Sequence, residues 1–294
     1  MNRFTFRIIS AILYLISLLP FPVLYCLSDI LFLFLFYIIK YRRKVVSKNL
    51  LNSFPEKTKS ELEQIEERFY RYLADLMLES VKTISISAND IKKRFVFKNL
   101  ELLTKNFQNG RSVIAVSGHY GNWEWGPVAI GLELKEKVLV VYKPLSDKRF
   151  EGLMNSMRSR FGSVMVPMKL TLRKVIEYKN EPNVLVLVGD QTPTREESQY
   201  FTNFLNQQTA VFLGVEKIAF KLKNPIVYFS INRIKRGYYE CVVKSLIDNP
   251  EHTKEHEITE AHTKELEKNI LLQPEYWLWS HKRWKFSPEN LKND

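Results

Sequence analysis

The most apolar part of the chain lies at its N-terminus, over residues 4–39. It is almost wholly apolar and is broken by Arg7, Pro20, Pro22 and Asp29. One membrane span needs about 20 apolar residues, so the stretch is long enough for one broken span or two short helices joined at the prolines. The alternative is an apolar helix pair packed on the core of the domain. We predict a membrane anchor over residues 1–45 and a single globular domain over residues 46–294.

Beyond the apolar stretch, short strand-like runs alternate with amphipathic segments. The strand-like runs are 95–97, 112–117, 138–142, 163–166, 184–188, 225–232 and 238–244, and the helical segments include 56–85, 148–160, 170–179 and 210–222. Strands that alternate with helices are typical of an α/β sheet covered by helical layers. The last two strands lie only about five residues apart around Gly237, which predicts a hairpin and therefore a mixed sheet.

The charge of the chain indicates an anionic partner. Its formal net charge is +12 and its pI is about 9.5. Nucleic acid, anionic lipid head groups, a phosphorylated glycolipid and an acidic carrier protein satisfy this charge equally well. Basic residues flank the apolar stretch on both sides, so the positive-inside rule predicts that both its ends, and the globular domain, lie in the cytoplasm. They are Arg3, Arg7, Lys40, Arg42, Arg43 and Lys44.

Neither cysteine nor histidine spacing predicts a disulfide framework or a metal site. Cys26 lies in the apolar stretch and Cys241 lies in a strand-like run. His252 and His256 are four residues apart, but no third ligand has suitable spacing, so we interpret them as part of a solvated helix. We expect neither a bound metal nor a redox cofactor.

The strongest candidate for chemistry is the pair His119 and Glu124, which follows the apolar strand 112–117. Gly118 and Gly121 flank the histidine, a pattern that predicts a strand, a turn and the start of a helix. A neutral imidazole accepts a proton from a hydroxyl that attacks a carbonyl, and a nearby carboxylate orients the imidazole. We therefore predict that His119 is a general base oriented by Glu124.

Further polar residues at strand ends are candidates for substrate binding. Lys143 follows one strand, and Asp190 and Gln191 follow another directly after Gly189. Arg158 and Arg160 end a helical segment, and an arginine is suited to bidentate contact with phosphate. Asn122 lies inside the His119 segment, where nearby backbone N–H groups, or alternatively a basic side chain, are candidates to stabilise an oxyanion.

Several segments together resemble the lipid A biosynthesis acyltransferases, a family of the lysophospholipid and glycerolipid acyltransferase superfamily. The segment 118–124 is similar to the H-x4-D/E box of that superfamily. The resemblance extends over nearly the whole chain, through the N-terminal apolar stretch, 142–145, 158–162, 189–191 and the closing aromatic and basic block 274–284. The closing block is the most family-specific of these segments. The resemblance implies that Arg160 binds substrate, that Asp190 lies near the catalytic box and that the closing block lies near the site and the membrane.

The resemblance implies an O-acyltransferase at the inner membrane, with its catalytic domain facing the cytoplasm. The expected donor is an acyl carrier protein thioester or acyl-CoA, and the expected acceptor is a hydroxyl of a lipid A precursor. Other lipids, such as a lysophospholipid, an aminolipid or another glycolipid, are alternative acceptors. A non-catalytic adaptor that binds membrane or nucleic acid through its basic surface is the alternative of a different class, although we expect no nucleic-acid partner.

Overall fold

A computed structural model describes residues 2–289 of the chain. Its apolar N-terminus forms two helices, α1 (Arg3–Leu18) and α2 (Phe21–Leu33), and α2 continues into a π-helical turn over Phe34–Ile38. Pro22 lies in the first turn of α2, where a missing backbone N–H costs no helical hydrogen bond. The stretch Phe21–Ile38 is, by length and composition, apolar enough to cross a membrane.

Three helices lead from this segment to the first strand: α3 (Arg43–Ser53), α4 (Lys59–Lys82) and α5 (Ala88–Arg94). Helix α6 (Glu101–Gln108) follows that strand. Helix α4 begins with a capping box, in which Thr58 and Glu61 each accept a hydrogen bond from the other's backbone N–H. Its 24 residues pack against both α1 and α2. Helix α4 therefore joins the apolar N-terminus to the globular domain.

Of the nine strands within residues 2–289, seven form one mixed sheet in the order β1-β9-β8-β2-β5-β3-β4. The nine strands are β1 (Phe95–Lys98), β2 (Val113–Ser117), β3 (Lys137–Tyr142), β4 (Val164–Pro167), β5 (Asn183–Val188), β6 (Tyr200–Phe204), β7 (Gln207–Val211), β8 (Ile226–Lys235) and β9 (Tyr238–Ile247). All neighbouring pairs in this sheet are parallel except β8 and β9, which form the predicted hairpin around Gly237. The prediction of a mixed sheet is confirmed.

Helices cover both faces of the sheet. The remaining ones are α7 (Gly126–Glu133), α8 (Lys148–Arg158), α9 (Thr171–Glu177), α10 (Gly214–Leu222) and α11 (Glu257–Leu272). Strand β2 is buried along its whole length, with Ile114 and Val116 in one core and Val113 and Ala115 in the other. Such two-sided burial explains why the parallel strands have continuous apolar sequences rather than alternating ones.

The segment 200–213 differs from its prediction. Residues 200–211 form a separate two-stranded hairpin of β6 and β7, so the helix predicted over 210–222 begins only at Gly214. The hairpin turns at Leu205 and Asn206, which both have positive φ angles, of 49° and 60°. Such a turn normally contains Asn-Gly or Asp-Gly. Leucine at the first position gives no sequence signal for it.

Candidate active site

The site forms at the carboxyl ends of two adjacent parallel strands. Strand β2 ends at Ser117, which is in register with Val188 at the end of β5. His119 lies two residues beyond the first strand end, and Asp190 lies two residues beyond the second. The sheet register therefore brings together two side chains that are 71 residues apart in the sequence.

The Asp190 carboxylate holds the His119 residue at two points. Its Oδ1 lies 2.6 Å from Nδ1 of the imidazole, and its Oδ2 accepts a hydrogen bond of 2.8 Å from the His119 backbone N–H. The same Oδ2 also accepts a hydrogen bond of 2.8 Å from Nε1 of Trp277. Because an ionised carboxylate only accepts hydrogen bonds, Nδ1 of the histidine carries a proton and, in the neutral ring, Nε2 has the free lone pair.

Nε2 of His119 faces the accessible side of the site. The side-chain amide of Gln191 lies 3.2 Å from this nitrogen, and Gln191 itself is exposed. A shallow surface cavity adjoins these groups, lined by His119, Asp190, Gln191, Trp277, Leu278 and His281. The imidazole retains 18% of its side-chain exposure. A hydroxyl that displaces the Gln191 amide would meet a nitrogen able to accept its proton.

Electrostatics strengthens the His119–Asp190 pair. Burial alone lowers the pKa of His119, but the charge and hydrogen bond of Asp190 outweigh it, so the net pKa lies above the ordinary value for histidine. Burial raises the pKa of Asp190, but the hydrogen bonds and the charge of His119 outweigh this effect and hold it well below its usual range. The carboxylate is therefore ionised throughout the physiological pH range.

Glu124 has a different partner from the one predicted. Its two carboxylate oxygens accept hydrogen bonds of 2.9 Å and 2.7 Å from Nε and Nη2 of Arg158 at the end of α8. The carboxylate that contacts His119 is Asp190, so the prediction that Glu124 orients the imidazole directly is corrected. Glu124 still acts on His119 through space, where its charge raises the pKa of the imidazole. A catalytic role for Glu124 stays a prediction.

Two other candidate residues make hydrogen bonds to the surrounding fold. Asn122 is fully buried, with its Nδ2 donating to Glu79 and its Oδ1 accepting from the Trp125 backbone N–H. The Arg160 guanidinium donates from Nη1 to two carbonyls just beyond α4, those of Thr83 and Ile86. We therefore interpret the buried Asn122 side chain as structural, whereas Arg160 is exposed and uses only Nη1 in these bonds, so its role in substrate binding stays a prediction.

Lys143 stays a prediction as a substrate-binding residue. It directly follows β3, which is parallel to β5, so it lies at the same edge of the sheet as His119 and Asp190. Its side chain is exposed.

The closing block packs directly on the catalytic segment. The Leu278 backbone N–H donates to the His119 carbonyl over 3.2 Å, and the Gly121 N–H donates to the Tyr276 carbonyl over 3.0 Å. Gly121 has a φ of +60°, and a Cβ there would lie 2.5 Å from the Ile231 carbonyl oxygen, so the turn requires glycine. The Gly121 N–H is occupied and does not serve as an oxyanion donor in this structure.

The sequence indicates that the closing block lies near the site, but it does not predict two of the contacts that the block makes there. Trp277 is an indole donor to Asp190, and His281 Nε2 accepts a hydrogen bond of 3.1 Å from the Thr192 backbone N–H. Burial lowers the pKa of His281 to about 4, so this ring is a neutral acceptor. The aromatic content of the block was the available signal, although spacing alone does not say which ring reaches the carboxylate.

Residues 1–286 match the family model described as bacterial lipid A biosynthesis acyltransferase. The chain is 23% identical over 281 residues to the lipid A biosynthesis palmitoleoyltransferase of Escherichia coli K12, covering 94% of this chain and 90% of that protein. It is 24% identical over 283 residues to the lipid A biosynthesis lauroyltransferase of the same organism, covering 95% and 91%. A lipid A biosynthesis acyltransferase of Haemophilus influenzae is 23% identical over 248 residues, covering 82% and 74%.

Proposed function

The chain belongs to the bacterial lipid A biosynthesis acyltransferase family and is an acyltransferase, and we propose that it moves a fatty acyl chain from a thioester to a hydroxyl of a lipid A precursor. The observation that carries this proposal is the His119–Asp190 pair. Asp190 keeps a proton on Nδ1 and leaves Nε2 as a base that faces the exposed Gln191 side chain.

The reaction needs one proton carrier. Nε2 of His119 takes the proton of the acceptor hydroxyl as its oxygen attacks the thioester carbonyl, and Asp190 stabilises the imidazolium that forms. The attack forms the C–O bond of the ester and a tetrahedral oxyanion, and collapse of this intermediate restores the C=O bond and breaks the C–S bond. The imidazolium then returns the proton to the departing thiolate. The net reaction transfers the acyl group from the thiol to the acceptor oxygen and one proton from the acceptor to the thiol. No covalent acyl-enzyme forms.

The proposed donor is an acyl carrier protein thioester, with acyl-CoA as the second candidate. Residues 143–179 contain nine Lys or Arg residues and three Asp or Glu residues. The exposed basic side chains among them include Lys143, Lys148, Lys169 and Arg173, and they follow β3 and β4 at the edge of the sheet that holds His119. A basic surface beside the site favours an acidic partner that presents the thioester.

The N-terminal helices support association with a membrane surface. Helix α1 exposes an apolar stripe of Phe4, Ile8, Ile12, Leu15 and Leu18, and α2 with its π-helical turn exposes Val23, Ile30, Leu33, Phe34, Tyr37 and Ile38. The opposite face of α2 packs on α4 and contains polar contacts, since Ser28 donates to Asp75 and Asp29 pairs with Arg236. These contacts favour a helix pair that lies in the membrane interface over one that spans the bilayer, and the basic residues that flank the pair favour a domain in the cytoplasm.

The proposed function is tested with purified protein in detergent, a labelled acyl carrier protein thioester or acyl-CoA, and a pool of lipid A precursors and lysophospholipids. We compare wild type with His119→Ala, and use His252→Ala as a control because His252 is exposed and lies beyond the opposite edge of the sheet. We expect labelled lipid A precursor from wild type and the control, and a rate lower by about 10²–10⁴ in His119→Ala. If only a lysophospholipid is labelled, the acceptor is a lysophospholipid rather than a lipid A precursor. If all three proteins have equal rates, His119 is not the general base.

A further inference from the structure

A second buried carboxylate contacts the catalytic segment, at Asn122 rather than at His119. Glu79, in the last turns of α4, is fully buried and accepts three hydrogen bonds from three different parts of the fold. Tyr25 of α2 donates to Oε1 over 2.8 Å, while Asn122 Nδ2 and the Tyr239 hydroxyl of β9 each donate to Oε2 over 2.7 Å.

These bonds hold the C-terminal half of the segment 118–125. Asn122, which Glu79 holds by its amide nitrogen, uses its Oδ1 to accept the Trp125 backbone N–H over 2.9 Å. The Trp125 indole N–H in turn donates to the Glu79 backbone carbonyl over 2.9 Å. His119, three residues before Asn122, is held by Asp190. The segment is therefore fixed at one end by Asp190 and at the other by Glu79.

We propose that Glu79 is a positioning residue, which sets the place of the His119 imidazole by holding Asn122 and Trp125. The proposal rests on the proposed acyl transfer, since its effect is on the base that this reaction uses. Glu79 itself does not line the cavity beside His119. Because Tyr25 lies on α2, the same carboxylate also connects the catalytic segment to the helix pair that we assign to the membrane interface.

The Glu79 side chain can hold Asn122 whether its carboxyl group is ionised or protonated. Asp75 on α4 and Arg233 on β8 both face Glu79, as do the phenols of Tyr25 and Tyr239, and burial raises the pKa of Glu79 to about 7. A protonated Oε1 can donate to Tyr25 while Oε2 still accepts from Asn122. A glutamine can present the same pattern, with its carbonyl oxygen toward Asn122 and its amide toward Tyr25. We therefore expect Glu79→Gln to keep kcat within about threefold of wild type.

The test exchanges the donor and the acceptor of the hydrogen bond between residues 79 and 122, in two steps. In Asn122→Asp two carboxyl groups meet where the present bond is 2.7 Å long, and they can share one proton at low pH but repel each other when both are ionised. We expect this variant to acquire an alkaline limb in which kcat falls at least tenfold while KM stays within about twofold. In the double variant Glu79→Gln with Asn122→Asp, the glutamine amide can donate both to the carboxylate introduced at position 122 and to Tyr239. We expect the alkaline limb to disappear.

Asp75→Asn is the matched control. Asp75 is also a buried carboxylate of α4 and also binds α2, through Ser28, but its hydrogen bonds go to Ser28, Arg233 and Arg236 rather than to the segment 118–125. We expect it to lower the thermal unfolding midpoint and leave the pH profile of kcat unchanged. An Asn122→Asp profile identical to that of wild type, or one that Glu79→Gln does not restore, would overturn the positioning role.

A second readout separates this proposal from the acyl transfer on which it rests. The rate at which diethyl pyrocarbonate modifies His119, followed by peptide mass spectrometry, reports access to the imidazole without any substrate. We expect faster modification in Asn122→Asp than in wild type at high pH, and a return to the wild-type rate in the double variant. If wild type transfers no acyl group but this pattern is observed, the proposed function fails and the positioning role stands. If transfer occurs and the modification rates are all equal, the positioning role fails alone.

Discussion

Substitution of Asp190 by Asn is the most discriminating change at the site, because the surrounding donors dictate how the amide must lie. Oδ2 accepts hydrogen bonds from the His119 backbone N–H and from Trp277, so the single carbonyl oxygen of Asn is best placed there. The amide nitrogen then takes the place of Oδ1, 2.6 Å from Nδ1 of the imidazole. An amide nitrogen only donates, so Nδ1 must accept and the proton must move to Nε2.

This tautomer removes the base, since Nε2 with a proton cannot accept one from the acceptor hydroxyl. An analogous carboxylate-to-amide change in serine proteases lowers kcat by about 10⁴ through the same change of tautomer. We expect a loss of about 10³–10⁴ in kcat for Asp190→Asn, equivalent to about 4–5 kcal/mol of activation free energy. Loss of the negative charge also removes the main effect that raises the pKa of His119, so the acid limb of the remaining activity should move to lower pH.

The assay is acyl transfer across a pH series, with the thermal unfolding midpoint measured on the same samples. Asp248→Asn is the control, because Asp248 is exposed and follows β9 at the opposite edge of the sheet. We expect the control to match wild type in rate and pH profile. A rate for Asp190→Asn within tenfold of wild type, with the acid limb in place, would refute the assignment of Asp190 as the carboxylate that fixes the His119 tautomer.

Three further outcomes follow from the same geometry. The wild-type rate should rise with pH through an acid limb that lies above the ordinary histidine pKa. His119 acts as a base only when it is neutral, and Asp190 favours its protonated form. An acid limb below the ordinary histidine pKa would contradict this prediction. Glu124→Gln should lower kcat about 10-fold to 100-fold, because it weakens the bidentate ion pair with Arg158. This loss should be smaller than that of Asp190→Asn, since the His119 tautomer stays intact. An assay of the two variants side by side decides which loss is larger. Gly121→Ala should lower the free energy of unfolding by about 2–4 kcal/mol, since a Cβ at positive φ would lie against a backbone carbonyl. An unchanged thermal unfolding midpoint would show that the turn can accommodate the Cβ.

The sequence predicted the sheet better than it predicted the partners within the site. Continuous apolar runs gave the parallel strands 113–117 and 183–188 to within about one residue, because strands buried on both faces have no polar positions to blur their limits. The hairpin of β6 and β7 was missed because its turn uses Leu205 at a positive φ. Local sequence signals therefore succeed where burial is uniform and fail where tertiary contacts impose an uncommon backbone conformation.

The choice of carboxylate for His119 shows how a short motif can indicate the right base and the wrong partner. Five positions separate His119 from Glu124, and that spacing invites a direct contact, but the segment turns at Gly121 and the Glu124 side chain is taken by Arg158. Asp190 is 71 residues away, yet the register of β2 with β5 places it opposite the histidine. The usable signal was the similarity of the two strand ends, each an apolar strand followed by Gly and then a polar residue. In parallel sheets such matching ends are a better sign of contact than closeness in the sequence, because neighbouring strands align their carboxyl ends whatever the length of the connection between them.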